Sequence, residues 1–214
     1  MQTRLQRAAL GLLQLYPTPP KEIPARRQAW QELEQALHEE SSLVFPPEFV
    51  YLAGPIVDCG FHEANDWRKY AAEKLRPHNI VGVSPLRCEP LHGDKYSPQY
   101  ADQRFGVPRA ISAKNKFDVR RCAITLAMLP LPANDRTQSY GTLQEVAWAD
   151  EAGRMVIQVT DDPKIISHPV VDSARGWKMC AGEGHPFPTI KEALDAAIDT
   201  CVGVLAGYTG GKNV

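Results

Sequence analysis

The chain has 214 residues, 43% of them hydrophobic, and a formal net charge of -1. That is enough apolar material for one full α/β core with a short appendage, and the absence of a long basic run argues against a duplex nucleic-acid partner. Five cysteines (Cys59, Cys88, Cys122, Cys180 and Cys201) form no CxxC pair and six histidines form no HxxxH or HExxH, so neither a disulfide framework nor a metal site is expected.

Scattered thiols fit a reducing cytoplasm, and no apolar run approaches the roughly 18 residues that span a bilayer. Residues 1–45 read as a helical appendage. MQTRLQRAALGLLQLY places Leu5, Ala9, Leu12 and Tyr16 at helical spacing, and Gln14 breaks the run that a secretory signal would need. Pro17, Pro19 and Pro20 end this helix. A second helix is expected from Ala25 to Glu40, with Trp30, Leu33 and Leu37 on one face, before Pro46 and Pro47 punctuate the chain.

The main domain, residues 46–214, opens with FVYLAGPI from Phe49, a buried strand running into a glycine turn. A helix from Ala64 to Leu75, a short strand from Ile80 to Pro85 and a long loop over residues 86–109 follow. Loops of that length are usually binding loops, lids or disordered. A helix from Ala110 to Arg121, a buried strand from Ala123 to Leu129 and the polar loop PLPANDRTQ come next. Then come a helix from Thr142 to Ala152 ended by Gly153, a buried strand from Met155 to Thr160, and a last helix from Thr189 to Leu205. Apolar strands alternating with amphipathic helices predict a parallel sheet covered on both faces. In such sheets ligands bind at the carboxyl ends of the strands. That directs attention to Ala53–Pro55, the loop from Ser84 to Arg109, and the loop from Pro130 to Gly141.

Three features there can carry chemistry. Gly54 lets backbone approach a ligand, or is simply part of a tight turn. In SYGTLQE, Thr142 and Glu145 have the spacing of a capping box, in which Glu145 contributes ~1 kcal/mol to its helix start. A carboxylate in the first helical turn is also kept ionised by the macrodipole and can attack an anomeric carbon. Asp118 is either a surface partner of Lys114 or Arg121, or a proton donor facing the same cleft. No GxGxxG, GxSxG, Walker or kinase motif occurs, and no cofactor is called for.

Taken in order, the pieces resemble the nucleoside 2-deoxyribosyltransferase-like family. These are VYLAGPI (Val50 to Ile56), GVSPLR (Gly82 to Arg87), AISAKNKFDVRRC (Ala110 to Cys122), SYGTLQEVAWA (Ser139 to Ala149), HPVV (His168 to Val171) and TIKEALDAAI (Thr189 to Ile198). The resemblance implies a flavodoxin-like (Rossmann-like) parallel fold and homo-oligomers that share active sites. It implies transfer of a 2-deoxyribosyl group between nucleobases in nucleoside salvage, through a covalent glycosyl intermediate on Glu145. Asp118 matches the acid that handles the base proton, and Tyr51 the residue that orients the nucleophile. Gly54, Ser139 and Gly141 match positions lining the sugar end, the segment around His168 is implied to build a subunit contact or site edge, and Pro55, Thr142 and Arg87 are expected to bind substrate beside them. Where the family has an acidic residue after the cysteine, Ala123 stands here. Where it has Asn before Leu, Met128 stands.

Hydrolysis of a nucleoside or its 5'-monophosphate is the alternative within the architecture. For it, Arg68 or Arg87 near the site would favour phosphate binding. A catalytically idle nucleotide-binding module is the alternative of another class. Partners are expected to be a small nucleoside or nucleotide and a free base, without nucleic acid or membrane.

Overall fold

The computed structural model describes residues 46–87, 104, 106–133, 136–172, 174 and 176–206. The chain divides into two units, Met1–Pro46 and Pro47–Val214. The expected N-terminal helices and most of the loop before residue 104 lie outside the described residues.

Five strands form one sheet: β1 (Glu48–Ala53), β2 (Ile80–Val83), β3 (Ile124–Met128), β4 (Met155–Thr160) and β5 (Gly176–Cys180). Their order is β2-β1-β3-β4-β5, and every pairing is parallel. The helices are α1 (Phe61–Leu75), α2 (Pro108–Arg121), α3 (Tyr140–Glu151), the short α4 (Pro163–Ile166) and α5 (Pro169–Asp172), and α6 (Ile190–Ala206). This is the flavodoxin-like order, with its switch point between β1 and β3.

Alternation along the strands divides the core between two faces. Val50, Leu52, Leu126, Ile157 and Val159 pack with Ala71 and Leu75 of α1 and with Ala193, Ala197 and Cys201 of α6. Tyr51, Ala53, Ala127 and Val156 point the other way, toward Val119 of α2 and Val146 and Ala149 of α3. Tyr51 is therefore a polar-tipped ring in an otherwise apolar row, fully buried, and its hydroxyl needs a partner.

Several boundaries differ from the sequence expectation. Helices α1 and α2 start three and two residues earlier than Ala64 and Ala110, with Pro108 in the first turn of α2. Strand β5 escaped the sequence reading altogether. It is an edge strand with two of its five residues exposed and none buried, and so lacks the apolar run that marks β3. At its start Gly176 has φ 140, and an added Cβ would lie 1.7 Å from the Val156 carbonyl oxygen. Only glycine tolerates that approach.

Helix α3 carries a correction of greater consequence. Its N-cap is Ser139, whose Oγ accepts from the Thr142 backbone N–H at 3.3 Å and from the Thr142 hydroxyl at 2.9 Å. Thr142 is not the cap, and Glu145 sits in the second turn with no capping role. The capping box does occur at Thr189–Glu192. There the Thr189 N–H donates to Glu192 Oε2 at 3.0 Å and the Glu192 N–H donates to Thr189 Oγ1 at 3.3 Å.

Candidate active site

A cleft of about 850 Å³ opens at the carboxyl ends of β1 and β3, where the strand order reverses. Its walls come from three segments: the turn after β1, the start of α2, and the β3 loop with the first turns of α3.

Glu145 lies in this wall and is 5% exposed. The Tyr51 hydroxyl donates to its Oε1 at 2.7 Å, and Asn115 Nδ2 donates to the same oxygen at 3.0 Å. No hydrogen bond from the described residues occupies Oε2. Burial pushes the carboxyl up to about 7, and the two donors together with Arg68 and Lys114 hold it from rising further. The helix dipole does not set the charge of this group, as its position in the first turn would have required; desolvation does. Burial and the neighbouring carboxylate hold the Tyr51 phenol far above its ordinary range, so it remains a donor.

The turn after β1 is fastened from beneath. Arg68 of α1 is 2% exposed and its guanidinium donates to four backbone carbonyls. These are Leu52 at 3.1 Å, Gly54 at 2.7 Å, Pro55 at 3.4 Å and Ala64. A Cβ on Gly54 would meet the Trp67 ring at 2.6 Å. This glycine is thus demanded by helix packing, whatever it also offers a ligand. Across the cleft, the β3 loop is tied down by Gln138, whose amide donates to the Pro130 carbonyl at 2.8 Å and to Asp162 at 3.0 Å. Arg136 in the same loop contacts the Glu63 carboxylate at 3.0 and 3.2 Å.

The structure brings together most of the residues singled out in the sequence. Gly54, Pro55, Ser139, Gly141, Thr142 and Glu145 line the cleft, and Tyr51 reaches Glu145 from its floor. Asp118 does not line it. That side chain is 1% exposed, and its Oδ2 lies 2.6 Å from Arg87 Nη2. The charges touch, although the guanidinium does not point along the usual hydrogen-bond direction. The reading of Asp118 as a surface partner of Lys114 or Arg121 is thereby replaced. Arg87 itself borders a second hollow of about 460 Å³, with Arg68, Lys69 and Ser84. His168 is exposed at the turn between α4 and α5 and is not among the cleft-lining residues.

The residue that sequence reasoning missed is Asn115. On α2, Pro108, Ile111, Ser112 and Asn115 line the cleft, and Asp118 continues the same stripe one turn further in. Helical spacing marks the stripe but not the depth at which the cleft ends. Among the described residues, no group of three His, Cys, Asp or Glu is placed to hold a metal ion.

No family model matches the sequence, and no curated protein matches it. Solved structures do. A 2-desoxiribosyltransferase from Leishmania mexicana is similar over 54% of this chain and 66% of its own, at 21% identity and a TM-score of 0.40. A CMP N-glycosidase from Clostridium botulinum is similar over 72% of this chain and 99% of its own, at 15% identity and a TM-score of 0.46. A 2-deoxyribosyltransferase from Bacillus psychrosaccharolyticus is similar over 70% and 95%, at 15% identity and a TM-score of 0.45. One fold of this kind hosts many activities, so these likenesses do not assign one. The chain is similar in fold to 2-deoxyribosyltransferases and to a CMP N-glycosidase.

Proposed function

We propose that the chain transfers a 2-deoxyribosyl group between nucleobases, with Glu145 as the nucleophile. One observation carries this reading: a buried carboxylate in the cleft wall, with both of its donors on Oε1 and Oε2 left to react. In the first step Oε2 forms a bond to the anomeric carbon. The base leaves with the electron pair of the broken C–N bond and takes up a proton from water in the open cleft. In the second step a ring nitrogen of an incoming base displaces Glu145 and restores the carboxylate, and its N–H proton goes to the hydroxide left by the first step, which re-forms water. Tyr51 keeps Oε1 fixed through both steps. Asp118, buried against Arg87 and absent from the cleft lining, is given no part in proton transfer.

The two arginines that the sequence offers for a phosphate are engaged elsewhere, Arg68 with backbone carbonyls and Arg87 with Asp118. Arg136, in the cleft lining, is held by Glu63. The neutral nucleoside is thus the better-supported donor substrate. Incubation with 2'-deoxyinosine and adenine, followed by chromatography, tests the reaction. Deoxyadenosine plus hypoxanthine is the expected result. Hypoxanthine with free deoxyribose would mean that water is the acceptor. No change with any nucleoside or 5'-monophosphate would remove both activities.

The raised carboxyl sets the pH dependence. A nucleophile titrating at about 7 is ionised above that pH. We expect kcat/KM to rise through pH 7 and reach a plateau on the alkaline side. A profile that is flat from pH 5 to 9, or that falls through 7, would exclude the ionised form as the reacting one.

A further inference from the structure

Asn115 uses only half of its amide on Glu145. Nδ2 donates to Oε1, while Oδ1 is buried and meets no hydrogen-bond donor among the described residues. The amide cannot turn over without loss, because its carbonyl oxygen would then face the carboxylate, acceptor against acceptor. Oδ1 is therefore held as a buried acceptor on a residue of the cleft wall, in the same side chain whose Nδ2 holds Glu145. Buried polar atoms in folded proteins are almost always paired, so an orphan beside a reacting carboxylate points to a partner supplied by the ligand.

We infer that Asn115 is a specificity-determining residue. Its Oδ1 accepts a hydrogen bond from a donor that the nucleoside carries near its anomeric carbon, while its Nδ2 aims Glu145. One side chain thereby couples recognition of the substrate to the orientation of the nucleophile. The donor is the 3'-hydroxyl of the sugar or an amino group of the base; the two share the chemistry that Oδ1 requires. The inference rests on the cleft taking a nucleoside.

The test compares 2'-deoxyadenosine with 2',3'-dideoxyadenosine, which lacks the 3'-hydroxyl, and with purine 2'-deoxyriboside, which lacks the base amino group. For the chain itself, one of the two analogues is expected to be used about 100-fold less well. In Asn115→Ala that preference disappears: all three lose what the missing Nδ2 donor costs, and the preferred substrates lose about 100-fold more than the poor one. An equal loss on all three nucleosides would overturn the inference.

A second measurement does not need turnover. In Asn115→Asp a carboxylate replaces the amide at hydrogen-bond distance from Glu145, and two such groups do not both ionise readily. Glu145, followed by carbon NMR of its labelled carboxyl, is expected to titrate at higher pH than in the unmodified chain. An unmoved titration would overturn the coupling. If no nucleoside is turned over, calorimetric binding of the same three compounds decides. A binding preference that Asn115→Ala erases leaves the inference standing while the transfer reaction falls. Binding of none of them, or a uniform loss, overturns it.

Discussion

Replacing Glu145 by Gln is expected to lower turnover by about ten-thousand-fold and, at pH 8, to make the protein more stable. The two outcomes share a cause. Burial raises the carboxyl from 4.5 to about 7 in the folded chain. Between those values the folded state binds the proton more tightly than the unfolded state does, so stability falls as pH rises through the interval. Above pH 7 the full cost is present, about 3 kcal/mol from the size of the shift. Glutamine has the same shape and no charge, and its carbonyl oxygen can still accept from Tyr51 and Asn115. Scanning calorimetry should therefore find the variant melting several degrees higher than the parent at pH 8, and close to it at pH 5. A variant that keeps a tenth of the activity would remove Glu145 from the chemistry. A variant that melts lower at pH 8 would contradict the buried, costly carboxylate.

The largest effect on stability is expected from Arg68→Met. Methionine fills the volume of the aliphatic stem but removes the donor from the carbonyls of Leu52, Gly54 and Pro55, while the Ala64 carbonyl keeps its bond within the helix. Each buried acceptor left without a donor costs on the order of 1–3 kcal/mol, although some recover water as the turn loosens. The net loss should be about 4 kcal/mol, at the extreme of single substitutions. Urea unfolding measures it. Turnover of the fraction that remains folded should fall as well, since the same turn forms one wall of the cleft. Arg68→Lys reaches fewer carbonyls and should lie between. A loss under about 1 kcal/mol would show that the turn finds other donors, and that the guanidinium is not what holds it.

Much of this architecture was legible in the sequence, for reasons that also explain the misses. β1, β3 and β4 are buried on both faces, and so appear as continuous apolar runs. β5 is a half-exposed edge whose residues carry no such signal. The two segments TLQE and TIKE have the same T-x-x-E spacing, yet only the second is a capping box. Glu192 is exposed and turns back to its own helix start, whereas Glu145 is buried and turns to Tyr51, a residue 94 positions away. Spacing shows which groups share a helical turn; it does not show which of them the rest of the chain has already claimed. The same holds for α2, where the acid at position 118 drew attention. The fold sets that acid one turn too deep, and the neutral Asn115 occupies the wall instead. Tyr51 and Ser139 were found through the family resemblance and not through periodicity.

The fastening of the β1 turn has a consequence for how such a site can diversify. Tyr51, Arg68 and Glu145 belong to a strand and two helices, and their mutual positions are fixed inside the core. The rim belongs to residues 56–59, to 106–112, and to 130–133 with 136–138, which the core does not depend on to the same degree. Insertions and exchanges there can reshape what the mouth admits while the Glu145 carboxylate stays where it is. Descendants of this chain would be expected to differ most in these three stretches, and grafting them between relatives offers a way to exchange substrate preference without rebuilding the machinery beneath.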